Sequence, residues 1–287
     1  MARGRNVRYI GVDESVWHLH GEMMGQEGVW LTSLAGFYHP VRVPIMLTPA
    51  YMRGAIPGDP KTDVSRIGMK IFTSANSALE WEGIESQWWN AWSDEKDGGF
   101  LEVENLSAPE TGSVANAGTR RLPVRLERWP EDPFDYEPEE EMDWTMPVIS
   151  YSPGWQGVTV TSSYIGTGLG SITMANPGDL EGWPHFTGEP VDGTILPDGI
   201  DGNGVDVGVV PLPEMDPAEG DWLVVTDQME VPIENTANTQ VAARLAGLLF
   251  KNPIPPGTDP VAVPITTGAT ETTVRFYLTP LYRRPWG

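Results

Sequence analysis

The chain contains no cysteine, so it forms no disulfide bond and offers no thiolate ligand to a metal. No apolar run approaches the ~20 residues that a membrane-spanning helix needs. The basic residues 1–11 lack the apolar core of a signal peptide. We therefore expect a protein that is made in a cytoplasm and stays soluble there.

Positive charge is scarce. The sequence has 18 Lys and Arg against 40 Asp and Glu, which gives a formal net charge of −22. This charge repels phosphate and argues against a nucleic-acid-binding groove. The same sign suits a wall past which DNA slides without sticking, although acidity that only keeps a protein soluble is the more common explanation.

Catalytic motifs are also missing. The sequence has no G-x-S-x-G, no H-E-x-x-H and no phosphate-binding glycine loop. With 40 acidic residues, carboxylate pairs for glycoside hydrolysis can be drawn almost anywhere, and the sequence selects none of them. We expect no enzyme, no catalytic residue and no cofactor.

Two places invite a metal-site hypothesis, and neither supports it well. His18 and His20 share one face of a predicted strand, but two ligands are not a site, and surface histidines are the preferred interpretation. Residues 198–206 (DGIDGNGVD) are similar to a calcium loop. Counted from Asp201, however, the sixth position is Asp206, where the EF-hand pattern needs glycine. We expect a glycine-rich turn there and no metal site.

The sequence is rich in turn-forming residues, with 32 Gly and 27 Pro. The densest stretch, residues 176–213, lies between two β-like segments and cannot sustain a helix. Short strands joined by such loops are typical of β-sandwiches. We therefore predict a mainly β fold with two β-sandwich-like domains.

Alternating and β-branched segments predict the strands. In the first half they are residues 7–12, 16–20, 29–31, 67–73, 100–106 and 121–127. In the second half they are residues 147–151, 158–163, 170–175, 205–210, 222–226 and 272–278. Residues 37–47 are extended as well, and Pro40 and Pro44 favour an edge strand there. Residues 50–64 are predicted to form a loop, and residues 239–250 a helix or an irregular strand pair.

One helix is predicted in the first half, over residues 74–93, with Ser74 or Asn76 as its cap. Trp81, Ile84, Trp88 and Trp92 recur at helical spacing, and Leu79 and Trp89 widen this apolar face. Trp88, Trp89 and Trp92 also suit a sugar-stacking platform, but the core is the preferred place for them. Trp89 is the better candidate for an exposed contact.

An acidic, proline-broken run, residues 131–143 (EDPFDYEPEEEMD), is too polar to form a core element. We predict an exposed linker there. The domain boundary follows it, giving domains 1–144 and 145–287.

Several blocks follow one another along the chain and together resemble a known family. They are residues 11–21 (GVDESVWHLHG), 25–31 (GQEGVWL), 120–127 (RRLPVRLE), 172–179 (ITMANPGD), 183–184 (WP), 195–199 (ILPDG), 209–213 (VVPLP), 221–227 (DWLVVTD), 238–247 (NTQVAARLAG), 253–258 (PIPPGT) and 284–287 (RPWG). With these blocks the chain resembles the minor tail proteins of long-tailed phages that infect actinobacteria, and among them the distal tail protein type. Residues 198–206 depart from the resemblance.

The resemblance implies an N-terminal ring-forming β domain and a C-terminal sandwich of galectin-like or carbohydrate-module-like shape. It implies a structural virion protein at the tail tip, assembled in the host bacterial cytoplasm. The implied structure is a homo-oligomeric ring, hexameric in this family, that joins the tail tube to the tip or baseplate. The implied partners are further copies of the chain, the tail tube protein, the tail-tip hub and the tape measure protein, with DNA only passing through the lumen. The resemblance carries over no catalytic residue.

Two other functions remain open at this point. The first is a carbohydrate-binding tail-tip protein that contacts a glycan of the host envelope, which exposed aromatics such as Trp155 or Trp183 would favour. The second is a cell-wall glycosidase. We also expect residues 37–47 to pair with a neighbouring subunit through a free strand edge.

Overall fold

The fold comes from a computed structural model, which describes residues 4–39, 41–48, 51, 54–58, 60–95, 98–106, 118–131, 140–201 and 208–286. The structure is mainly β, which confirms the predicted fold class. It divides into two compact units, Met1–Gln156 with Arg283–Gly287, and Gly157–Tyr282. We call them the N-terminal unit and the C-terminal unit. No helix in the described ranges is long and apolar enough to cross a membrane.

The N-terminal unit is built from strands and one α-helix. Its strands are β1 (Arg5–Ile10), β2 (Val16–His20), β3 (Val29–Ala35), β4 (Arg42–Val43), β5 (Met46–Leu47), β6 (Ile56–Pro57), β7 (Lys61–Thr62), β8 (Ser65–Ser74), β9 (Gly99–Asn105), β10 (Thr119–Leu126), β11 (Glu141–Ser150) and β12 (Trp155–Gln156), and its helix is α1 (Ala78–Asn90).

Seven of these strands form an antiparallel sheet in the order β2-β1-β9-β10-β11-β8-β3. Alternation explains which side chains face the core. In β2, Trp17 and Leu19 are buried while Val16 and His20 are exposed, as predicted. Strand β8 alternates in the same way along most of its length. β12 pairs with β10.

Helix α1 packs its tryptophans against this sheet. The Trp88 ring meets the edges of Tyr9 on β1 and Trp17 on β2, with ring centroids 5.6 and 5.1 Å apart. Trp92, just after the helix, stacks on Tyr9 at 3.9 Å. The Trp81 Nε1–H donates to Thr73 Oγ1 of β8 at 3.1 Å. The predicted core role of these tryptophans is confirmed.

The bounds and cap of the predicted helix are wrong, as is the predicted role of Leu79, and the helix ends at Asn90 rather than at residue 93. The helix begins at Ala78 because residue 74 still belongs to β8, and Ser77, rather than Ser74 or Asn76, is its N-cap. The Ser77 Oγ accepts from the Glu80 N–H at 3.3 Å. Leu79 is 80% exposed and does not widen the apolar face. It precedes Trp81 by two residues, and positions two apart lie on nearly opposite sides of a helix.

The acidic run does not end the N-terminal unit. Residues 132–139 lie outside the described residues, but residues 141–150 form β11, which pairs with β8 along its whole length. Trp144 and Met146 are buried, whereas Glu141 is exposed and Asp143 lies on that same outer side. The predicted boundary between residues 144 and 145 therefore falls inside a strand, and the compact units meet at residues 156 and 157 instead.

The C-terminal unit continues with short strands. They are β13 (Val160–Gly166), β14 (Leu169–Asn176), β15 (His185–Gly188), β16 (Ile195–Pro197), β17 (Val209–Pro211), β18 (Trp222–Val225), β19 (Ile233–Asn235), β20 (Thr258–Thr266), β21 (Thr272–Leu278) and β22 (Leu281–Tyr282), with 3-10 helices at Pro217–Glu219 and Val241–Leu245.

Two sheets of this unit enclose one apolar core. The five-stranded sheet has the order β13-β21-β15-β18-β19, and the four-stranded sheet has the order β14-β20-β16-β17. Phe186, Trp222 and Phe276 from the first sheet share a buried cluster with Ile172 and Val263 from the second. The arrangement is a β-sandwich, as predicted.

Residues 239–250 belong to this core although they form no regular α-helix. Val241 and Leu245 of the 3-10 helix are buried in the cluster, together with Phe250. Ala246, which directly follows this 3-10 helix, has φ 51°. This left-handed conformation ends the helix and is energetically unfavourable for a residue with a Cβ. The segment packs on the sandwich.

Candidate assembly surface

The N-terminal unit carries a hairpin, residues 41–63, which we call the arm. Strand β4 pairs with β7, and β5 pairs with β6. Between and beyond these pairs, the Gly58 N–H donates to the Ile45 carbonyl at 2.8 Å and the Asp63 N–H donates to the Val41 carbonyl at 2.9 Å. As far as the arm is described, its strands pair only with each other.

The arm is apolar and uncovered. Of its described residues none is buried. Its exposed large apolar side chains are those of Val41, Val43, Ile45, Met46, Leu47, Tyr51 and Ile56. Met46 and Leu47 are 64% and 62% exposed. Exposed apolar side chains concentrated in one hairpin mark an interaction site, because a lone folded chain gains nothing from leaving them in water.

The charge of the arm differs from that of the chain. Arg42 and Lys61 lie on β4 and β7, the strand pair at its base, and Asp63 ends it, whereas the whole chain carries −22. The described part of the arm therefore carries two cations and one anion, in contrast to the acidic chain.

The arm contains most of the predicted edge segment, residues 37–47. Pro44 separates β4 from β5, as a proline without an N–H does within a ladder. Pro40 lies outside the described residues. Within the arm this segment pairs with the returning chain beyond its two short strands, because the carbonyls of Val41 and Ile45 also accept from Asp63 and Gly58. Pairing with a neighbouring subunit stays a prediction.

Near the base of the arm, the end of the chain packs on the same unit. The Arg5 guanidinium lies 3.7 Å from the centre of the Trp286 ring, and Phe37 and Tyr38 contact that ring as well. Arg5, Phe37 and Trp286 border a cavity of about 310 Å³. The ring of Trp286 therefore packs on β1 and on the residues that follow β3.

A buried carboxylate organises the sheet beside this cluster. Glu102 on β9 is 3% exposed, and it lies opposite Arg8 on β1 and Arg121 on β10. It pairs with Arg8 and, at 2.6 Å, with the Nε of Arg121. Both charged oxygens are thus satisfied, which a buried carboxylate requires. This network holds β1, β9 and β10 together.

Neither models of known protein families nor curated proteins give a match to this sequence. Solved structures do. The crystal structure of SPP1 Dit, described as a paradigm of the hub adsorption apparatus in phages that infect Gram-positive hosts, matches with a TM-score of 0.55 and 12% identity, over 95% of this chain and 98% of SPP1 Dit. A chain of the phage P2 baseplate, in its activated conformation with calcium, matches with a TM-score of 0.53 and 11% identity, over 98% of both chains.

The likeness is one of fold. It extends over nearly the whole length of both chains, so it includes both units rather than one of them. At these identities it carries no statement about ligands or partners.

Two blocks of the sequence resemblance meet inside the N-terminal unit. Arg120 begins one block, and its Nη1 donates to the carbonyl of Arg284, which begins the other, at 2.6 Å. Arg120 is buried, 5% exposed, on the same face of the sheet as Leu122. Arg284 and Trp286 of the closing block therefore have a packing role, through the Arg284 carbonyl and the Trp286 ring.

The predicted histidine pair does not converge with other ligands. The His18 Nδ1 lies 2.6 Å from the Glu27 Oε1, and the second oxygen of Glu27 accepts from the His18 backbone N–H at 2.9 Å. This contact covers the outer edge of β2. Within the described ranges, no group of three or more His, Cys, Asp or Glu side chains could hold a metal ion.

The calcium-like loop, residues 198–206, lies partly outside the described residues, which omit 202–207. Its first residue is engaged in the fold. The buried Asp198 carboxylate accepts from the backbone N–H groups of Lys251 and Asn252 at 2.7 and 3.2 Å, and from the Asn252 side chain at 2.9 Å. These three bonds give Asp198 a structural role.

The tryptophans proposed for sugar contact are mostly covered. Trp88 is fully buried, and Trp89 is half-buried between Trp129 and Trp144. Trp155 is 3% exposed, and its Nε1–H donates to the Phe37 carbonyl at 3.2 Å, so Trp155 does not favour the carbohydrate-binding hypothesis. Trp183 is half-buried.

Proposed function

We propose that this chain is a structural protein of a phage virion, of the distal tail type. In this proposal its copies form a closed ring, six in number, that joins the tail tube to the tail tip or baseplate and surrounds the channel through which DNA passes. The protein is assembled in the host bacterial cytoplasm and has no enzymatic activity. Its partners are its own copies, the tail tube protein, the tail-tip hub and the tape measure protein.

The observation that carries this proposal is the arm. A two-stranded hairpin is marginal in water, and this one has seven exposed large apolar side chains and no core of its own. Each Å² of apolar surface that a neighbour covers contributes about 25 cal/mol. Assembly therefore stabilises what the single chain leaves exposed. The likeness in fold to SPP1 Dit supports the same assignment, since that protein is a hub of an adsorption apparatus.

The negative charge fits a ring around DNA. A net charge of −22 gives passing phosphates no binding surface. The N-terminal unit, which bears the arm, is the ring-forming part in this proposal, and the C-terminal sandwich is the galectin-like part. The described residues select no carboxylate pair, so the glycosidase hypothesis gains no support.

The test is the mass of the purified protein in solution, by light scattering after gel filtration, followed by negative-stain imaging. We expect closed rings with a central hole. The double variant Met46→Asp with Leu47→Asp should be monomeric, because two charges replace the exposed apolar tip of β5.

The matched control is Met229→Asp with Leu169→Asp, which makes the same changes at exposed positions of the C-terminal unit, 91% and 78% exposed. It should form rings as the unaltered chain does. If both double variants form rings, the arm does not contribute to assembly. Labelling of the protein in virions gives the second readout, because a ring protein lies where the tube meets the tip, and label elsewhere would refute the proposal.

A further inference from the structure

Strand β3 is one of the two edges of the seven-stranded sheet, and within the described residues it pairs only with β8. In an antiparallel ladder, hydrogen-bonded pairs alternate with pairs that are not hydrogen-bonded. Gly28 and Ser74 are a hydrogen-bonded pair, since the Ser74 N–H donates to the Gly28 carbonyl at 3.0 Å. Leu31 and Ile71, three positions further on, are therefore not hydrogen-bonded. The N–H and carbonyl of Leu31 point away from β8.

A bulge at Thr32 follows, and beyond it the backbone groups of Leu34 point outward as well. Leu34 lies opposite Met69 of β8. Met69 directs its own backbone groups toward β11, because Ala75 and Glu140 are a hydrogen-bonded pair and the alternation continues from there along β8 and β11. The outer edge of β3 thus offers a backbone donor and a backbone acceptor from each of these leucines.

The opposite edge of the sheet, β2, is covered by its own loop. The His18 carbonyl accepts from the Gly25 N–H at 2.9 Å, and the His18 N–H donates to the Glu27 carboxylate at 2.9 Å. Within the described ranges no such bond reaches the outward groups of Leu31 and Leu34. Proteins generally cover a free strand edge, because it is a template for another strand. In this sheet one edge is covered and the other is open.

The cavity of about 310 Å³ lies along this open edge. Four consecutive residues of β3, residues 31–34, line it. Because side chains alternate between the two faces of a strand, a cavity that borders four residues in a row faces the backbone edge. Its other lining residues are Arg5 and Val7 of β1, His20 of β2, Phe37 and Trp286. The volume is at the lower end for ligand pockets, so it suits the side chains of an extended segment.

The described lining of the cavity contains a cation and no carboxylate. The Arg5 guanidinium is held 3.7 Å from the centre of the Trp286 ring, and no carboxylate of the described residues forms an ion pair with it. Four other arginines do pair with a glutamate: Arg8, Arg66, Arg121 and Arg244. In a chain with 40 acidic residues, Arg5 is thus left open to an anionic group from outside.

The acids of the adjoining segments do not enter the cavity. Glu27 is bound to β2. Glu104 on β9 accepts from the Asn6 amide at 2.9 Å. Asn6 follows Arg5 on β1, so its side chain lies on the other face of the sheet. Glu22, in the loop after β2, is held to Asn6 by its backbone N–H, and neither it nor the other two acids line the cavity.

We propose that the open edge of β3 binds an extended acidic segment of a partner protein as an added strand. The backbone of this segment hydrogen-bonds Leu31 and Leu34, an apolar side chain of it enters the cavity beside Phe37, and a carboxylate pairs with Arg5. Backbone groups at strand spacing select an extended polypeptide, and the unpaired guanidinium selects an acidic one. The arm takes no part in this site, so the site does not depend on ring formation.

The test is amide hydrogen exchange of the full chain, read by mass spectrometry on fragments that contain residues 29–36. The probe is the synthetic peptide acetyl-Thr-Val-Glu-Val-Glu-Val-Thr-amide. At 1 mM it should slow exchange in these fragments roughly tenfold, which corresponds to a dissociation constant of about 100 μM. The same peptide with lysine in place of glutamate should bind at least roughly fivefold more weakly, because Arg5 then meets a like charge. A form with every backbone nitrogen methylated should give no protection, because it cannot donate to the strand.

Arg5→Ala should weaken binding of the acidic peptide roughly tenfold, because a hydrogen bond to a charged group is lost. Lys251→Ala is the matched control, since it removes an exposed cation of the C-terminal unit and should bind as the unaltered chain does. Leu34→Pro removes one outward N–H and leaves the pairing with β8 in place. It gives a second variant in case Arg5→Ala does not fold, which far-UV circular dichroism would reveal.

Three results would overturn the proposal: no slowing of exchange by the acidic peptide, equal slowing by the lysine or methylated peptide, or unchanged binding by Arg5→Ala. The same measurement on Met46→Asp with Leu47→Asp separates this site from the ring, because binding should be equal in that variant and in the unaltered chain. Slow exchange of residues 29–36 without peptide in the unaltered chain, and fast exchange in the double variant, would assign the edge to a second copy instead.

Discussion

Helix α1 and the arm are both apolar segments of the N-terminal unit, but the apolar side chains of the helix are mostly buried and those of the arm are exposed. The helix buries Trp81 and Trp88 against the sheet, whereas the arm leaves Met46 and Leu47 in solvent. In the helix, apolar residues recur every three to four positions and form one face that the sheet can cover. In the arm, the strands are two residues long and pair only with each other, so no second layer covers them. Apolar residues that a chain does not bury for its own stability are available for assembly.

We expect the largest loss of stability from Trp88→Ala, a substitution in the core of the N-terminal unit. Trp88 is fully buried and contacts Tyr9, Trp17 and Trp92. Its removal leaves a cavity, and we expect a loss of about 3–5 kcal/mol in the free energy of unfolding, measured with urea. No hydrogen bond is lost, because the Trp88 Nε1–H has no partner in the described residues.

The control for this change is Trp183→Ala, at a half-buried tryptophan of the C-terminal unit, which should cost less. A loss below 1 kcal/mol for Trp88→Ala would mean that the helix layer does not hold the N-terminal unit together.

The second effect depends on pH. Burial, with a smaller contribution from Asp13, raises the pKa of Tyr9 well above 10, and its hydroxyl donates to the Ala91 carbonyl at 2.8 Å. Because the folded pKa exceeds the unfolded one, the stabilisation is complete below pH 10 and is lost as the pH rises further. We expect the free energy of unfolding to fall by up to about 1.4 kcal/mol per pH unit above pH 10.

Tyr9→Phe is the control for this pH dependence. It removes the ionisable group but keeps the ring stacked on Trp92. The variant should start less stable, since it lacks the bond to Ala91, and its unfolding should depend less on alkaline pH. Equal slopes for the two proteins would show that another group dominates alkaline unfolding.

The third effect concerns the start of the helix. Ser77→Ala removes the side-chain acceptor of the Glu80 N–H, and we expect a loss of about 1 kcal/mol in urea unfolding. Ser74→Ala, at one of the two positions that the sequence predicts as a cap, tests the observed boundary and should cost less. A larger loss at Ser74 would mean that the helix begins earlier.

Local alternation made much of the fold predictable. Val16–His20 and Thr272–Leu278 were predicted to the residue, because a period of two over five or more residues has one interpretation. Thr258–Thr266 was missed because it contains Pro260 and Pro264. Those prolines are tolerated since β20 pairs with β14 on one side and with β16 only at its end.

The candidate surfaces were predictable only in part. Pro40 and Pro44 predict an edge strand over residues 37–47. The returning strands of the arm, β6 and β7, lie in residues 50–64, whose Pro and Gly content predicts a loop. Which side chains share the outer face of the five-stranded sheet depends on strand register. His185 and Tyr277 are opposite one another because β15 pairs with β21 across a long intervening chain, and no local pattern specifies that pairing.

The smallest expected effect on stability comes from the arm. Leu47→Ser removes an apolar side chain that is 62% exposed and contacts no core. We expect the free energy of unfolding of the dissociated chain to change by less than about 0.5 kcal/mol, because surface substitutions away from packed groups have little effect. The same substitution should shift the ring toward monomers in light scattering. A matched Leu169→Ser, 78% exposed in the C-terminal unit, should change neither quantity. If Leu47→Ser instead destabilised the single chain by more than 1 kcal/mol, the arm would be part of the fold, and the contrast with helix α1 would fail.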